Sequence, residues 1–111
     1  SGRRRHPRYF FPEGLHARVQ TDAVQLNGAF TGSVADISAH GVLILFSALS
    51  MDSIRRIMAA PSPFIHLSIN KQSFSLRAIP LRVSSYGSDS TYQSIAFEFV
   101  GHSIPEAVLK N

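Results

Sequence analysis

Short runs of alternating apolar and polar residues fill most of this sequence, and they predict β-strands rather than long helices. Residues 64–69, FIHLSI, and residues 92–100, YQSIAFEFV, alternate regularly, which is typical of strands with one buried face. The continuous apolar run GVLILF, residues 41–46, predicts a fully buried central strand. Three further strands are predicted over residues 15–26, 31–38 and 73–85.

Turn-forming residues separate these runs. Asn27-Gly28 and Asn70-Lys71 predict tight turns between neighbouring strands. Pro80 interrupts the run 73–85, and because proline has no backbone N–H to donate, that strand is expected to lie at an edge or to contain a bulge. The strands do not alternate with helices, so we expect an antiparallel barrel or sandwich.

Residues 51–60, MDSIRRIMAA, are the internal segment whose apolar residues recur at i, i+3 and i+4, as on one face of a helix. We expect Asp52 or Ser53 to cap this short helix and Pro61 to end it. Pro105 can begin a second short helix at the C-terminus. The face expected to pack on the sheet consists of Ile54, Ile57 and Met58.

Length and composition indicate one globular domain. The chain has 111 residues, of which 44% are hydrophobic and 16% charged, enough apolar surface for a single core. The absence of cysteine excludes disulfides, thiolate metal sites and a cysteine nucleophile, and it suits a cytoplasmic protein. The longest apolar run is about half the length of a membrane-spanning helix, so no membrane insertion is expected. The chain begins with Ser-Gly instead of Met, which looks like a cleavage scar, so we expect the natural chain to begin earlier and to carry other domains.

The positive charge of the chain is concentrated at its N-terminus. The formal net charge is +4, and Arg3, Arg4, Arg5 and Arg8 account for all of it, since 4 − 4 = 0. A local cluster of this kind favours a compact anionic ligand over a nucleic acid polymer, which would need a basic surface across the fold. On its own, the cluster is more typical of a solvated, flexible tail.

A second polar motif, DISAHG, occupies residues 36–41. Asp36 and Ser38 are two residues apart in a predicted strand, so their side chains are expected to face the same way, and Gly41 permits a close backbone approach. A carboxylate can accept the paired N–H donors of a guanine edge, while arginine binds phosphate and stacks on bases. Alone, such a motif is more often a β-turn whose Asp and Ser satisfy backbone groups.

Together the two stretches carry a family resemblance. Arg4 and Arg8 stand as R-x-x-x-R, and Asp36, Ser38 and Gly41 stand as D-x-S-x-x-G, 28 residues later in a β-rich chain. The sequence resembles the PilZ domain family of bacterial receptors for cyclic di-GMP (c-di-GMP). The resemblance implies an all-β, six-stranded antiparallel barrel with one short internal helix and a short C-terminal helix. It also implies a receptor without enzymatic activity.

The resemblance further implies roles for individual residues. Arg4 and Arg8 would hold the phosphates and contact guanine. Asp36 and Ser38 would bind a guanine edge or ribose. Gly41, which lacks a side chain, would let the backbone approach closely. Arg3 occupies a position associated with an intercalated ligand dimer instead of one molecule. The remaining candidate contacts are His40 and Arg5. No catalytic residue, metal or other cofactor is expected.

The predicted layout is a flexible ligand-binding segment over residues 1–12, a barrel over 13–102 and a tail or short helix over 103–111. The N-terminal segment is expected to become ordered around the ligand and to relay the signal to an unidentified domain or protein. An alternative is a PilZ-like interaction module that binds no nucleotide. A barrel that binds single-stranded nucleic acid is less favoured, because the Phe residues occupy core-like positions.

Two further chemistries are disfavoured by the sequence. Asp36, Ser38 and His40 would project side by side from one strand, whereas a hydrolase triad places its histidine between the other two groups. His66 lies in an apolar strand and is expected to be hydrogen bonded rather than a metal ligand. The histidines also lack the i, i+4 spacing of common metal sites; they are His6, His16, His40, His66 and His102.

Overall fold

Six antiparallel strands close into a barrel in the computed structural model, which describes residues 7–21, 29–87 and 92–110. Two short helices accompany the strands within these residues. In chain order the elements are β1 (His16–Gln20), β2 (Ala29–Ser38), β3 (Gly41–Ser47), α1 (Met51–Ala59), β4 (Phe64–Ile69), β5 (Gln72–Tyr86), β6 (Tyr92–Phe99) and α2 (Glu106–Leu109).

The strands follow the order β1-β2-β3-β6-β5-β4 around the barrel, and β4 pairs with β1 to close it. Every pair is antiparallel. The predicted fold class, a six-stranded antiparallel barrel with one internal and one C-terminal helix, is confirmed. Closure matters for the site because it gives each strand one inner and one outer face.

The inner faces form the core, as the alternating pattern predicted. Ile65, Leu67 and Ile69 of β4 are buried, while the side chains between them face outward. Strand β3 departs from the prediction of full burial, because Leu43 and Leu45 are only half-buried on its outer face. A single-walled barrel has no second layer to cover that face.

The predicted end of the first strand and the predicted turn after β4 can be compared with the structure. The first strand was predicted over residues 15–26 but ends at Gln20, and the predicted Asn27-Gly28 turn lies outside the described residues. The turn at Asn70-Lys71 is confirmed. Both of its residues have positive φ angles, 52° and 68°, as a two-residue hairpin turn of the favoured twist requires.

Pro80 lies where β5 loses one neighbour. Strand β4 pairs with β5 only as far as Arg77, so the rest of β5 pairs with β6 alone. The pairing register with β6 shifts between Pro80 and Arg82, which leaves Leu81 as the extra residue. The predicted edge or bulge is therefore confirmed in both forms.

Helix α1 packs on the barrel through Ile57, which is fully buried, and Met58, which contacts the core. Its cap differs from the prediction. The Ser50 hydroxyl accepts a hydrogen bond from the Ser53 backbone N–H at 3.0 Å, so neither Asp52 nor Ser53 is the N-cap residue. The helix begins at Met51, immediately after a serine that can act as the acceptor.

Gly32 leaves room for the facing strand inside the barrel. A Cβ at this position would lie 2.6 Å from Ile44 Cγ2 and 2.6 Å from the Leu45 carbonyl oxygen. We expect Gly32→Ala to lower the free energy of unfolding by about 1–3 kcal/mol, because the backbone of β3 must shift to accept the methyl group. Urea denaturation would measure the loss. The outward-facing neighbour offers a control, and Ser33→Ala should change stability by less than about 0.5 kcal/mol. Wild-type stability in Gly32→Ala would contradict this close approach.

Candidate functional site

Arg8 and Asp36 form an ion pair between the two sequence motifs. Arg8 Nη1 donates to Asp36 Oδ1 at 2.7 Å, across 28 residues of sequence. The two side chains are 33% and 30% exposed, so the pair is accessible from solvent. The structure thus brings the second arginine of R-x-x-x-R onto the carboxylate of D-x-S-x-x-G.

Backbone pairing between Tyr9 and Ile37 holds Arg8 in place. The Tyr9 N–H donates to the Ile37 carbonyl at 2.7 Å, and the Ile37 N–H donates to the Tyr9 carbonyl at 3.0 Å. The Tyr9 hydroxyl also donates to Glu106 Oε1 at 3.3 Å. Desolvation and then the Glu106 carboxylate raise the pKa of Tyr9, so its phenol stays protonated and keeps this hydrogen bond at neutral pH.

A bulge in β2 turns Asp36 outward. Val34 pairs with Ile44 on the inner face, and Asp36 is two residues further on, so regular alternation would direct its carboxylate into the core. The register shifts between Val34 and Asp36, which makes Ala35 the extra residue. Asp36 therefore pairs with Leu43 on the outer face.

The turn that follows uses Ser38 and Gly41 internally. Ser38 is 5% exposed, and its hydroxyl accepts from the His40 backbone N–H at 3.3 Å. At Gly41 a Cβ would lie 2.8 Å from the Phe97 carbonyl oxygen, so the close approach of β6 accounts for glycine at this position. The His40 residue is exposed at the tip of the turn.

A row of side chains crosses the outer face of the barrel at the level of Asp36. Asp36 pairs with Leu43, Leu43 with Ala96, and Ala96 with Arg82, so β2, β3, β6 and β5 each contribute one residue. Leu43 is half-buried, Ala96 is 8% exposed and Arg82 is exposed. The row places an apolar surface between a carboxylate and a guanidinium group. Sequence reasoning missed Leu43, Ala96 and Arg82, because only the pairing register makes them neighbours of Asp36.

Three predicted ligand contacts, Arg3, Arg4 and Arg5, lie outside the described residues. Among the residues that are described, no three His, Asp or Glu side chains are grouped to hold a metal ion. In that same part of the chain, no helix is both long and apolar enough to span a membrane.

Comparison with known protein families supports the resemblance that the two motifs carry. A family model described as PilZ domain matches residues 2–110, nearly the whole chain. The chain belongs to the PilZ domain family. The match includes all the arginines of the first motif and the whole second motif, so the family resemblance is confirmed. A comparison with curated protein sequences found no match.

Several solved structures share the fold of this PilZ domain. Bacillus subtilis MotI/DgrA, an inhibitor of motility, has a TM-score of 0.69 at 15% identity, covering 99% of this chain and 49% of that one. The K. pneumonia MrkH–c-di-GMP complex has a TM-score of 0.65 at 18% identity, covering 90% and 45%. The Escherichia coli YcgR PilZ domain with c-di-GMP has a TM-score of 0.62 at 14% identity, covering 97% and 84%. At these identities the likeness shows the fold, and the chain spans about half the length of the first two proteins.

The Arg8–Asp36 pair should contribute little to stability without ligand, because both groups remain partly solvated. A double-mutant cycle with Arg8→Ala and Asp36→Ala, measured by urea denaturation, should give a coupling free energy of about 0.2–1 kcal/mol. The coupling should decrease in high salt, which screens exposed charges. Pairing Asp36→Ala with Arg55→Ala, a change at an exposed residue of α1, should give no coupling. A salt-independent coupling above about 2 kcal/mol would contradict this description of the pair.

Proposed function

We propose that this PilZ domain is a non-enzymatic receptor for cyclic di-GMP, centred on the Arg8–Asp36 pair. The observation that carries the proposal is the 2.7 Å contact between the two motifs that characterise the family. Family membership supports it, as do the solved MrkH and YcgR relatives, which are complexes with c-di-GMP. The proposed receptor acts in the bacterial cytoplasm.

Asp36 and Arg8 would exchange partners when the ligand binds. The Asp36 carboxylate faces outward and can accept the two N–H donors on the Watson–Crick edge of guanine. Arg8 would then move from the carboxylate to a phosphate, which also accepts paired guanidinium donors. The cost of separating Arg8 from Asp36 is small, because both groups are about a third exposed.

The outer row next to Asp36 suits the rest of the nucleotide. The half-buried Leu43 and the nearly buried Ala96 offer an apolar surface on which a base can pack. Arg82 follows at the far end of the row and can contact a phosphate or stack on a base. We therefore add Leu43, Ala96 and Arg82 to the proposed site.

Ser38 and Gly41 would act mainly by shaping the turn. The Ser38 hydroxyl holds the His40 N–H, and Gly41 permits the close approach of β6. In this proposal both residues position Asp36 at the end of β2. His40, exposed at the turn, would contact the ligand directly, and any contact of Ser38 with guanine or ribose would use its small accessible surface.

The N-terminal arginines would complete the site. Tyr9 joins the chain to β2, so Arg4, five residues before it, can reach the same outer face of the barrel. Arg4 would bind phosphate or guanine, Arg3 would support a second, intercalated ligand, and Arg5 is a further candidate contact. We propose that residues 1–12 become ordered around the ligand and relay its presence to a neighbouring domain or partner protein.

Calorimetric titration with c-di-GMP tests the site. Arg4→Ala, Arg8→Ala and Asp36→Ala should each weaken binding by about a hundredfold or more, because each removes one partner of a charge-assisted contact. Arg55→Ala removes a positive charge from an exposed position of α1 and serves as the matched control with wild-type affinity. Thermal unfolding without ligand should show each variant folded. Unchanged affinity in Arg8→Ala and Asp36→Ala would refute the assignment.

The same titration decides whether the domain binds one ligand molecule or an intercalated pair. A stoichiometry of two ligands per chain in the wild type, reduced to one in Arg3→Ala, is expected if Arg3 supports the intercalated dimer. If the folded wild-type domain shows no binding at all, the receptor proposal fails. The domain would then be better described as an interaction module that binds no nucleotide.

A further inference from the structure

A polar groove lies on the outer face of β1, β4, the start of β2 and the first half of β5, away from both family motifs. Its volume is about 610 Å³, within the range of small-molecule sites. The side chains that carry positive charge or can acquire it are Arg18, His16 and His66. The hydroxyl groups on its walls belong to Thr31, Ser68, Ser73 and Ser75.

Strand pairing concentrates these groups around Arg18. Arg18 is paired with Thr31 on one side and with His66 on the other, and His66 is paired with Ser75. Directly paired side chains lie about 5 Å apart at their Cβ atoms, within reach of one small ligand. The groove is therefore lined by a continuous band of polar side chains across four strands.

The positive charge of Arg18 is not neutralised within the described residues. No acidic side chain occurs among the described residues that line the groove. Among the described residues, the ion pair is the one between Arg8 and Asp36, and Arg18 takes part in none. A guanidinium group beside several hydroxyls favours an anion with several acceptor oxygens, as phosphate has.

Hydrogen bonds fix the orientation of His66 at the centre of the groove. Its Nε2 lies 2.8 Å from Gln20 Oε1 and its Nδ1 lies 2.7 Å from Ser75 Oγ. An amide oxygen only accepts, so Nε2 carries the proton of the neutral ring and Nδ1 accepts from the Ser75 hydroxyl. Partial burial and then the charge of Arg18 lower the pKa of His66, which keeps the ring neutral at pH 7.

We propose that this groove is a second anion site, which binds the phosphate group of a small molecule or free phosphate. Arg18 is its main contact, and the Thr31 hydroxyl is an additional donor. The Ser68 and Ser73 hydroxyls are hydrogen bonded to each other at 3.0 Å, so this pair offers one further donor. The site is separate from the proposed c-di-GMP site. It occupies β1, β4, the start of β2 and the first half of β5, whereas the other site lies at the end of β2 and on β3, β6 and the second half of β5. Its occupancy does not depend on Arg8 or Asp36.

Binding at this site should be coupled to proton uptake by His66. A nearby phosphate favours the imidazolium form and raises the pKa of His66. The protonated Nδ1 then donates to Ser75 Oγ, so the Ser75 hydroxyl is released to donate to the anion. The groups facing His66 are Arg18 and Gln20 from β1, Ser75 from β5 and Phe64 from its own strand. None of these opposes protonation except Arg18, which the bound anion neutralises.

The test is an NMR titration of the whole chain with inorganic phosphate, following the imidazole signals of His16 and His66 and the amide signals of β1 and β4. We expect saturable shifts in these signals, an upward shift in the pKa of His66, and no such changes with sodium chloride at equal ionic strength. Arg18→Gln should weaken phosphate binding about tenfold. Arg55→Gln removes an equal charge from an exposed position of α1 and should bind like the wild type.

A second titration, with phenyl phosphate, distinguishes a phosphorylated small molecule from free phosphate as the ligand. Tighter binding of phenyl phosphate than of inorganic phosphate would identify a phosphorylated small molecule as the ligand, and equal binding would identify the free anion. Shifts that fail to saturate, or that sodium chloride reproduces, would overturn the proposal. So would equal weakening by Arg18→Gln and Arg55→Gln, since that would show a general charge effect.

Discussion

Closure of the barrel gives every strand a single inner face. The bulge at Ala35 shifts the alternation of β2, so that different residues of this strand face inward before and after it. Val34 and Ile37 both reach the core although they are three residues apart, which regular alternation cannot achieve. The extra residue between them places Asp36 outside. A carboxylate in this apolar core would be strongly unfavourable. The same bulge that protects the core therefore exposes the acidic group of the proposed site.

The outer surface carries two chemically different regions on one small barrel. On β2, β3, β6 and the second half of β5, a carboxylate, an apolar surface and a guanidinium group follow one another, with Arg8 brought in by the Tyr9 pairing. On β1, β4 and the first half of β5, Arg18 lies among hydroxyls and imidazoles without an acidic partner in the described residues. Since the strands run around a closed wall, the two proposed sites lie on separate surfaces of the barrel.

Local pattern predicted the elements well where local forces decide them. The alternation in residues 64–69 and 92–100 identified β4 and β6, and the i, i+3, i+4 spacing identified α1, because burial of one face repeats with the period of each element. The errors arose where the surrounding structure, and not the local pattern, decides which residue caps a helix or how far a side chain is buried. Ser50 caps α1 because the chain approaches the helix in an extended conformation there. Leu43 and Leu45 stay half-exposed because no second layer covers the barrel.

The amino-acid sequence alone determined the strand content, the edge or bulge at Pro80 and the two motifs that indicate the family. These depend on residue type and on spacing along the chain, which are local properties. The tertiary structure decided that Arg8 reaches Asp36 and that Asp36 faces outward. It also decided that Leu43, Ala96 and Arg82 lie in one row with Asp36, and that Arg18 lacks a counter-charge in the described residues. Each of these depends on pairing register and barrel closure, which join residues far apart in sequence and leave no periodic signal in it.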